Sequence, residues 1–254
     1  MQNNSSLFHG KTALVTGASS GIGLATALAF GSQGAHVMVH YNHREAEAQA
    51  VIARVCDAGG SGEVLQGDLS TMPGVHAMAI AVAGKRIDIL INNAGSLIRR
   101  TRVLEFTEDL WDQVLTLNLS SAFFLAQAVL PGMVDRKSGV IVNISSVAAR
   151  NGGGLGALAY STAKAGLSTA TKGLAKEFAP HGIRINAVSP GTVDTEYHST
   201  FSTPQMLEAV RAATPMGRLG TAEEIAGVIV FLASDDAQFI QGQVIEVNGG
   251  FLMV

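Results

Sequence analysis

Short apolar, often β-branched runs alternate with amphipathic stretches from one end of the chain to the other. The first run is Thr12-Ala13-Leu14-Val15-Thr16, followed by a glycine turn and a helix through Leu24 and Leu28 that ends at Gly31 or Gly34. The second, Val37-Met38-Val39-His40-Tyr41, precedes a charged amphipathic helix over about 44–58. The third, residues 63–66, leads to Asp68, and a helix over about 72–83 separates it from a fourth at 87–92. A long helical pattern covers 108–130, with Thr107 as its N-cap and Glu108 and Asp109 at the positive end. Then come a strand at 140–144, a helix holding Tyr160 and Lys164, and a strand at 184–188. Thr221-Ala222-Glu223-Glu224 has the form of a capping box before a helix reaching Ala233, and Val244-Ile245-Glu246-Val247 is the last strand.

Apolar strands separated by helices of this length describe a parallel sheet covered on both faces. The pattern predicts an α/β fold: one doubly wound Rossmann-type domain over 1–254, with a seven-stranded parallel sheet flanked by helices on both faces. Residues 190–220 break the rhythm. They are long for an α/β connection, carry Tyr197, Phe201, Met206, Leu207 and Met216, and are expected to be a substrate-binding loop/helix insertion. The alternative is a poorly ordered insertion.

Composition narrows the classes. A net charge of -3 gives no broad electropositive surface for nucleic acid, and the single Cys56 excludes an internal disulfide or a multi-cysteine metal site. Residues 1–10 lack a signal-peptide pattern, and no uninterrupted apolar stretch suits a membrane span, so a soluble cytoplasmic protein is expected. With 47% apolar residues, the 29 glycines point to close helix–sheet packing and tight turns, not disorder.

One turn stands between the first strand and first helix: Thr16-Gly17-Ala18-Ser19-Ser20-Gly21-Ile22-Gly23. There Gly17 lets the chain turn, Gly21 admits a pyrophosphate, Gly23 lets helix pack on strand, and the helix N-terminus forms an anion site. Asp68 is placed to accept from an adenine amino group, or else to cap a helix. A carboxylate at the end of the second strand would hold an NAD ribose, but Tyr41-Asn42-His43-Arg44 contains no acid. That favours NADP(H) over NAD(H), with His43 or Arg44 on the 2′-phosphate, unless Arg44 only opens a solvated helix. Tyr160 and Lys164, four apart on a helix, share a face, so the ammonium should pull the phenol below its usual pKa of about 10 and make it usable in proton transfer.

These motifs, with Asn92-Asn93-Ala94-Gly95 and Pro190-Gly191, resemble the short-chain dehydrogenase/reductase family over essentially the whole chain, nearest its 3-oxoacyl-[acyl-carrier-protein] reductase and glucose dehydrogenase branch. The resemblance implies that Tyr160 exchanges a proton with the substrate oxygen and that Lys164 holds the nicotinamide ribose. It also implies that Ser146, chosen over adjacent Ser145, bonds the substrate oxygen, while Asn118 positions a water relay or is otherwise a packing residue. Cofactor contacts are then expected from Gly17, Ser19, Ser20, Gly21, Ile22, Gly23, Tyr41, Asn42, His43, Arg44, Asp68, Leu69, Asn92, Ala94, Gly95, Tyr160, Lys164, Pro190, Gly191, Val193 and Thr195. No metal is expected. The loop over 151–156 departs from the family by one extra residue.

The implied reaction is NADPH-dependent reduction of a ketone, a 3-oxoacyl thioester among the options. Alternatives are a sugar, polyol or cyclic-alcohol dehydrogenase, and a non-enzymatic nucleotide-binding scaffold or redox sensor that would not need Tyr160, Lys164, Ser146 and Asn118. Arg99, Arg100 and Arg102 form a basic patch that would attract a phosphopantetheine-bearing acidic carrier, or is a solvated loop. His9, His36, His76, His181 and His198 read as surface or capping groups, with only His198 in the expected substrate loop. Leu167, Ala170, Thr171, Leu174 and Phe178, with Phe123 and Phe124, give two helices apolar surface for self-association, and the resemblance implies a homotetramer.

Overall fold

The computed structural model describes residues 7–254, the side chains of 197–199 excepted. Seven strands form one all-parallel sheet: β1 (Thr12–Val15), β2 (His36–Tyr41), β3 (Ser61–Gln66), β4 (Ile89–Asn92), β5 (Gly139–Ile144), β6 (Ile183–Pro190) and β7 (Val244–Val247). Their order is β3-β2-β1-β4-β5-β6-β7. The direction of winding reverses between β1 and β4, which opens a crevice at the carboxyl edge there.

Alternation along each strand divides the core into two layers. Ala13 and Val15 of β1, Val37 and Val39 of β2, and Ile89 and Ile91 of β4 pack under α1 (Gly21–Gly31) and α2 (Glu45–Asp57). Leu14, Met38 and Leu90, on the opposite face, pack with Val75 and Met78 of α3 (Met72–Val82). Such burial is worth about 1.5–3 kcal/mol per large apolar side chain. Every β-strand expected from the sequence is present.

The helices show more departures. The expected 108–130 helix is α4 (Glu108–Leu115), a wide π-helical turn at Thr116–Ser120, and then α5 (Ser121–Arg136). Thr107 caps α4, accepting from the Leu110 N–H at 3.3 Å. The axis continues past Leu130 through Pro131, which is exposed together with Gln127, the residue whose carbonyl it leaves without a helical donor. The 29-residue run Glu108–Arg136 is long and apolar enough to cross a membrane, but half of its most apolar 18-residue stretch is buried inside the protein. A short α6 (Ala148–Asn151) precedes α7 (Leu158–Phe178), which carries Tyr160 and Lys164. Leu167 and Thr171 of α7 are buried within the protomer, and Leu174 and Phe178 pack on its core, so most of the stripe expected to bind a second copy is already consumed.

The insertion over 190–220 is helical, holding α8 (Glu196–Phe201) and α9 (Pro204–Ala213). Val193 makes a parallel bridge to Gly220, which pins both ends of the insertion beside the crevice. Helix α10 (Ala222–Ala233) starts with the complete Thr221/Glu224 capping box. The side chains of Tyr197 and His198, expected at the substrate, lie outside the described residues, as do residues 1–6 of the expected leaderless terminus.

Candidate active site

A cavity of about 850 Å³ opens at the carboxyl edge of the sheet above β1 and β4. The glycine turn forms its floor at one end. Gly23 stands behind that turn and not in the cavity wall: a Cβ there would come within 2.3 Å of the Gly17 carbonyl, so only glycine lets α1 press against the turn. Asn93 fixes the same turn by donating to the carbonyls of Thr16 at 2.8 Å and Gly17 at 3.0 Å. Gly17, Ser19, Ser20, Gly21 and Ile22 line the cavity, with the start of α1 aimed into it. This is the form of an anion cradle, and it fits a dinucleotide pyrophosphate.

Asn42, His43, Arg44, Asp68 and Leu69 line the neighbouring wall. The Asp68 carboxylate accepts from the Ser70 hydroxyl at 2.7 Å, the Ser70 N–H at 2.9 Å and the Asn42 amide at 3.2 Å. The Ser70 bond leads in holding its pKa below the ordinary carboxylate value. The Arg44 guanidinium is already engaged, donating to the carboxylate of Glu196 in α8.

Besides Gly23, two expected contacts are not brought to the cavity. Tyr41 turns into the apolar layer below α1 and α2, because alternation puts it on the face shared by Val37 and Val39. The Asn92 side chain is buried at the β4–β5 seam, where it donates to Asn143 Oδ1 at 2.9 Å and the Ala122 carbonyl at 3.2 Å. Asn93, Ala94 and Gly95 line the cavity in its place. The sequence reading also missed His40, whose buried ring lies beneath the glycine turn. The alternation that removes Tyr41 would have found it.

At the other end, Ser146, Tyr160 and Lys164 meet Pro190, Gly191, Val193 and Thr195 around the same space. Lys164 is 2% exposed, and its ammonium donates to the Ile144 carbonyl at 2.7 Å. Burial brings its pKa down to about 8, which leaves it cationic at neutral pH. The ammonium lies 5.7 Å from the centroid of the Tyr160 ring. That ring, like Ile98, packs against the cluster of Leu110, Val114 and Ala159. Ile98 is held at φ +59° in a three-residue turn closed by the Arg99 N–H on the Leu97 carbonyl at 2.6 Å. Backbone of this kind costs roughly 1–3 kcal/mol in a β-branched residue.

The two adjacent serines point apart. Ser145 is buried, with its hydroxyl 2.7 Å from Ser168 Oγ and 3.1 Å from the Lys164 carbonyl. Ser146 Oγ accepts from the Ala148 N–H at 3.1 Å, which leaves its own proton for the cavity. Asn118 sits in the π-helical turn behind Gly95. Its amide donates to the carbonyls of Ser96 and Val114, both at 2.8 Å, and its oxygen accepts from the Ser96 N–H at 3.1 Å.

The three substrate-facing segments are joined to one another. Arg100, part of the expected basic patch, donates to the Phe201 carbonyl at 2.6 Å and the Leu155 carbonyl at 3.0 Å, while Arg99 and Arg102 stay exposed. Ser161 donates to the Gly152 carbonyl at 2.7 Å and ties the glycine-rich 152–156 loop to α7. Phe201, Met206 and Leu207 supply an apolar wall, whereas Met216 is exposed.

Residues 17–252 match the family model described as Enoyl-(Acyl carrier protein) reductase. A 3-oxoacyl-[acyl-carrier-protein] reductase of Synechocystis sp. is 40% identical, over 96% of this chain and 97% of the relative. The 3-oxoacyl-[acyl-carrier-protein] reductase FabG of Escherichia coli is 41% identical, over 97% and 99%. Among solved structures, a protein of Beutenbergia cavernae assigned as an NAD(P)-dependent gluconate 5-dehydrogenase, with NADP bound at low occupancy, superposes with a TM-score of 0.91. It is 37% identical, and the match covers 98% of this chain and 99% of that one.

Proposed function

The chain belongs to the short-chain dehydrogenase/reductase family, and from that premise we propose that it reduces a ketone, best a 3-oxoacyl thioester, to a secondary alcohol using NADP(H). The observation that carries this reading is the convergence of Ser146, Tyr160 and Lys164 with the glycine cradle on one cavity. When bound, the nicotinamide supplies the hydride.

The rest of the work falls to the chain. The N–H groups at the start of α1 hold the pyrophosphate, Asp68 accepts from the adenine amino group, and His43 and Arg44 hold the ribose end. Lys164, anchored on Ile144, places a positive charge beside the phenol and reaches toward the second ribose. Tyr160 gives its proton to the carbonyl oxygen as negative charge grows there, and the Ser146 hydroxyl donates to the same oxygen. Asn118 holds the Ser96 backbone on both sides and so keeps the wall at Gly95 in register with Lys164. Ordering of this kind supports catalysis by leaving little reorganisation to the reacting groups.

The apolar wall of Phe201, Met206 and Leu207 suits an acyl chain, and exposed Arg99 and Arg102, which flank cavity-lining Arg100 in the chain, suit a carrier's phosphate. The absence of an acid over residues 40–44 supports NADP(H). A cytoplasmic homotetramer belongs to the same reading, supported by outward-facing Phe123, Phe231 and Phe239. A second reading, oxidation of a sugar acid, is favoured by the likeness to the Beutenbergia protein.

The test is cofactor turnover with acetoacetyl-coenzyme A and NADPH, beside NADH, and with gluconate and NADP+. NADPH oxidation by the thioester is expected, with Tyr160→Phe lowering kcat at least about 10²-fold while NADPH still binds. Turnover of gluconate alone would transfer the assignment to the second reading. A fully active Tyr160→Phe would remove the mechanism.

A further inference from the structure

His40 is a buried titratable group that the proposed chemistry does not use. Its ring touches both banks of the nucleotide crevice. Gly17, in the glycine turn, donates its N–H to Nδ1 at 3.0 Å, and Nε2 lies 3.0 Å from the carbonyl of Gly67, the residue before Asp68. The backbone adds a third tie, since the Ala18 N–H donates to the His40 carbonyl at 2.9 Å.

The partners decide the tautomer. A backbone N–H can only donate, so Nδ1 must be bare. A carbonyl can only accept, so Nε2 must carry the proton. A doubly protonated ring would set an N–H against the Gly17 N–H and lose that bond. The ring is 2% exposed, and burial outweighs the nearby Asp68 carboxylate and the Gly67 carbonyl in its titration, lowering its pKa to about 4. The glycine turn offers it only uncharged Gly17 to Ser20, and α3 offers Met78.

We propose that neutral His40 is a positioning residue for the cofactor: its Nε2–H tautomer clips the pyrophosphate turn at Gly17 to the adenine-side loop at Gly67–Asp68 and sets the width of the site. This rests on the dinucleotide reading above. Losing the clip leaves a partly buried N–H and a partly buried carbonyl to find new partners, and it frees the two banks to shift. The effect falls on cofactor binding, because Tyr160 and Ser146 stand at the other end of the cavity.

The two ring nitrogens can be separated by substitution. His40→Asn keeps an acceptor near the Nδ1 position, His40→Gln keeps a donor near the Nε2 position, and His40→Leu keeps neither. NADPH binding is measured by titration of its fluorescence, with kcat at saturating NADPH and Tm beside it. The expected result is a Kd raised about tenfold in His40→Leu and at least about threefold in both His40→Asn and His40→Gln, since each keeps one bank and loses the other, with kcat within about twofold throughout. A wild-type Kd in His40→Leu, or in either His40→Asn or His40→Gln, would overturn the proposal, whatever the Tm, because one bank would then hold the cofactor without the other. Should a variant not fold, 15N-histidine spectra of the unaltered protein decide: a neutral, Nε2-protonated His40 from pH 5 to 8 supports it, and a ring that charges in that range overturns it. Failure of the unaltered protein to bind NADPH or NADH would instead remove the dinucleotide reading itself.

Discussion

The α-carbon of Gly95 lies so close to the Lys164 ammonium that a methyl group on it would come within 3.0 Å of Nζ, and within 2.8 Å of Asn118 Oδ1. Gly95→Ala therefore has to displace a cation anchored at 2.7 Å on Ile144, or an amide held by three backbone bonds. The expected outcome is a fall in kcat of about 10- to 100-fold with KM for the ketone little changed, since orientation at the proton-donating end is what is lost. Steady-state kinetics on a variant of near-native Tm checks it.

Ser145 and Ser146 should separate stability from activity. Ser145→Ala removes a buried hydroxyl that joins β5 to α7 through Ser168 and Lys164, at a cost of about 1 kcal/mol in urea unfolding. Ser146→Ala leaves the fold intact and lowers kcat about 10²-fold, the scale of one lost donor to a developing oxyanion. The reverse pattern would mean that the neighbouring hydroxyl is the one used.

Arg44 has a rival for the cofactor in Glu196. A 2′-phosphate has to replace that carboxylate on the guanidinium, so Glu196→Gln should lower KM for NADPH roughly two- to fivefold and leave NADH unaffected. Arg44→Ala should raise KM for NADPH selectively, by about tenfold. Parallel titrations with the two cofactors measure both.

Acid should weaken the fold through His40. In the unfolded chain the imidazole takes up its proton near pH 6.5, and in the folded protein only near 4. Between those values the unfolded state binds more protons, so this contribution is intact above 6.5 and drains away as pH falls toward 4, up to roughly 3 kcal/mol. His40→Asn, if it folds, should show a flatter profile by urea unfolding over pH 4–7.

The sheet was readable because its strands are apolar, short and separated by punctuated helices, and the Thr221 capping box gave the start of α10 outright. Periodicity also brought Tyr160 and Lys164 to one face. What escaped depended on facts outside any local window. Pro131 reads as a stop, and only its outward direction lets α5 pass through it. Asn92 reads as a cofactor residue until β4 pairs with β5 and sets it opposite Asn143. Arg44 looks free in sequence because its partner is 152 residues away. Side-chain alternation at the end of β2 did hold the signal for His40 over Tyr41, but glycine and charge drew the attention there.

The wide turn at Thr116–Ser120 leaves α4 and α5 phased independently. Upstream, Leu110 and Val114 face the tyrosine; downstream, Leu125, Val129 and Met133 face the sheet. Ordinary α winding over the same five residues would swing one of those faces by roughly 90°. The wide form is thus held by what the two flanking faces bury, and the five residues between them keep the tyrosine and the sheet served by one continuous run of helix.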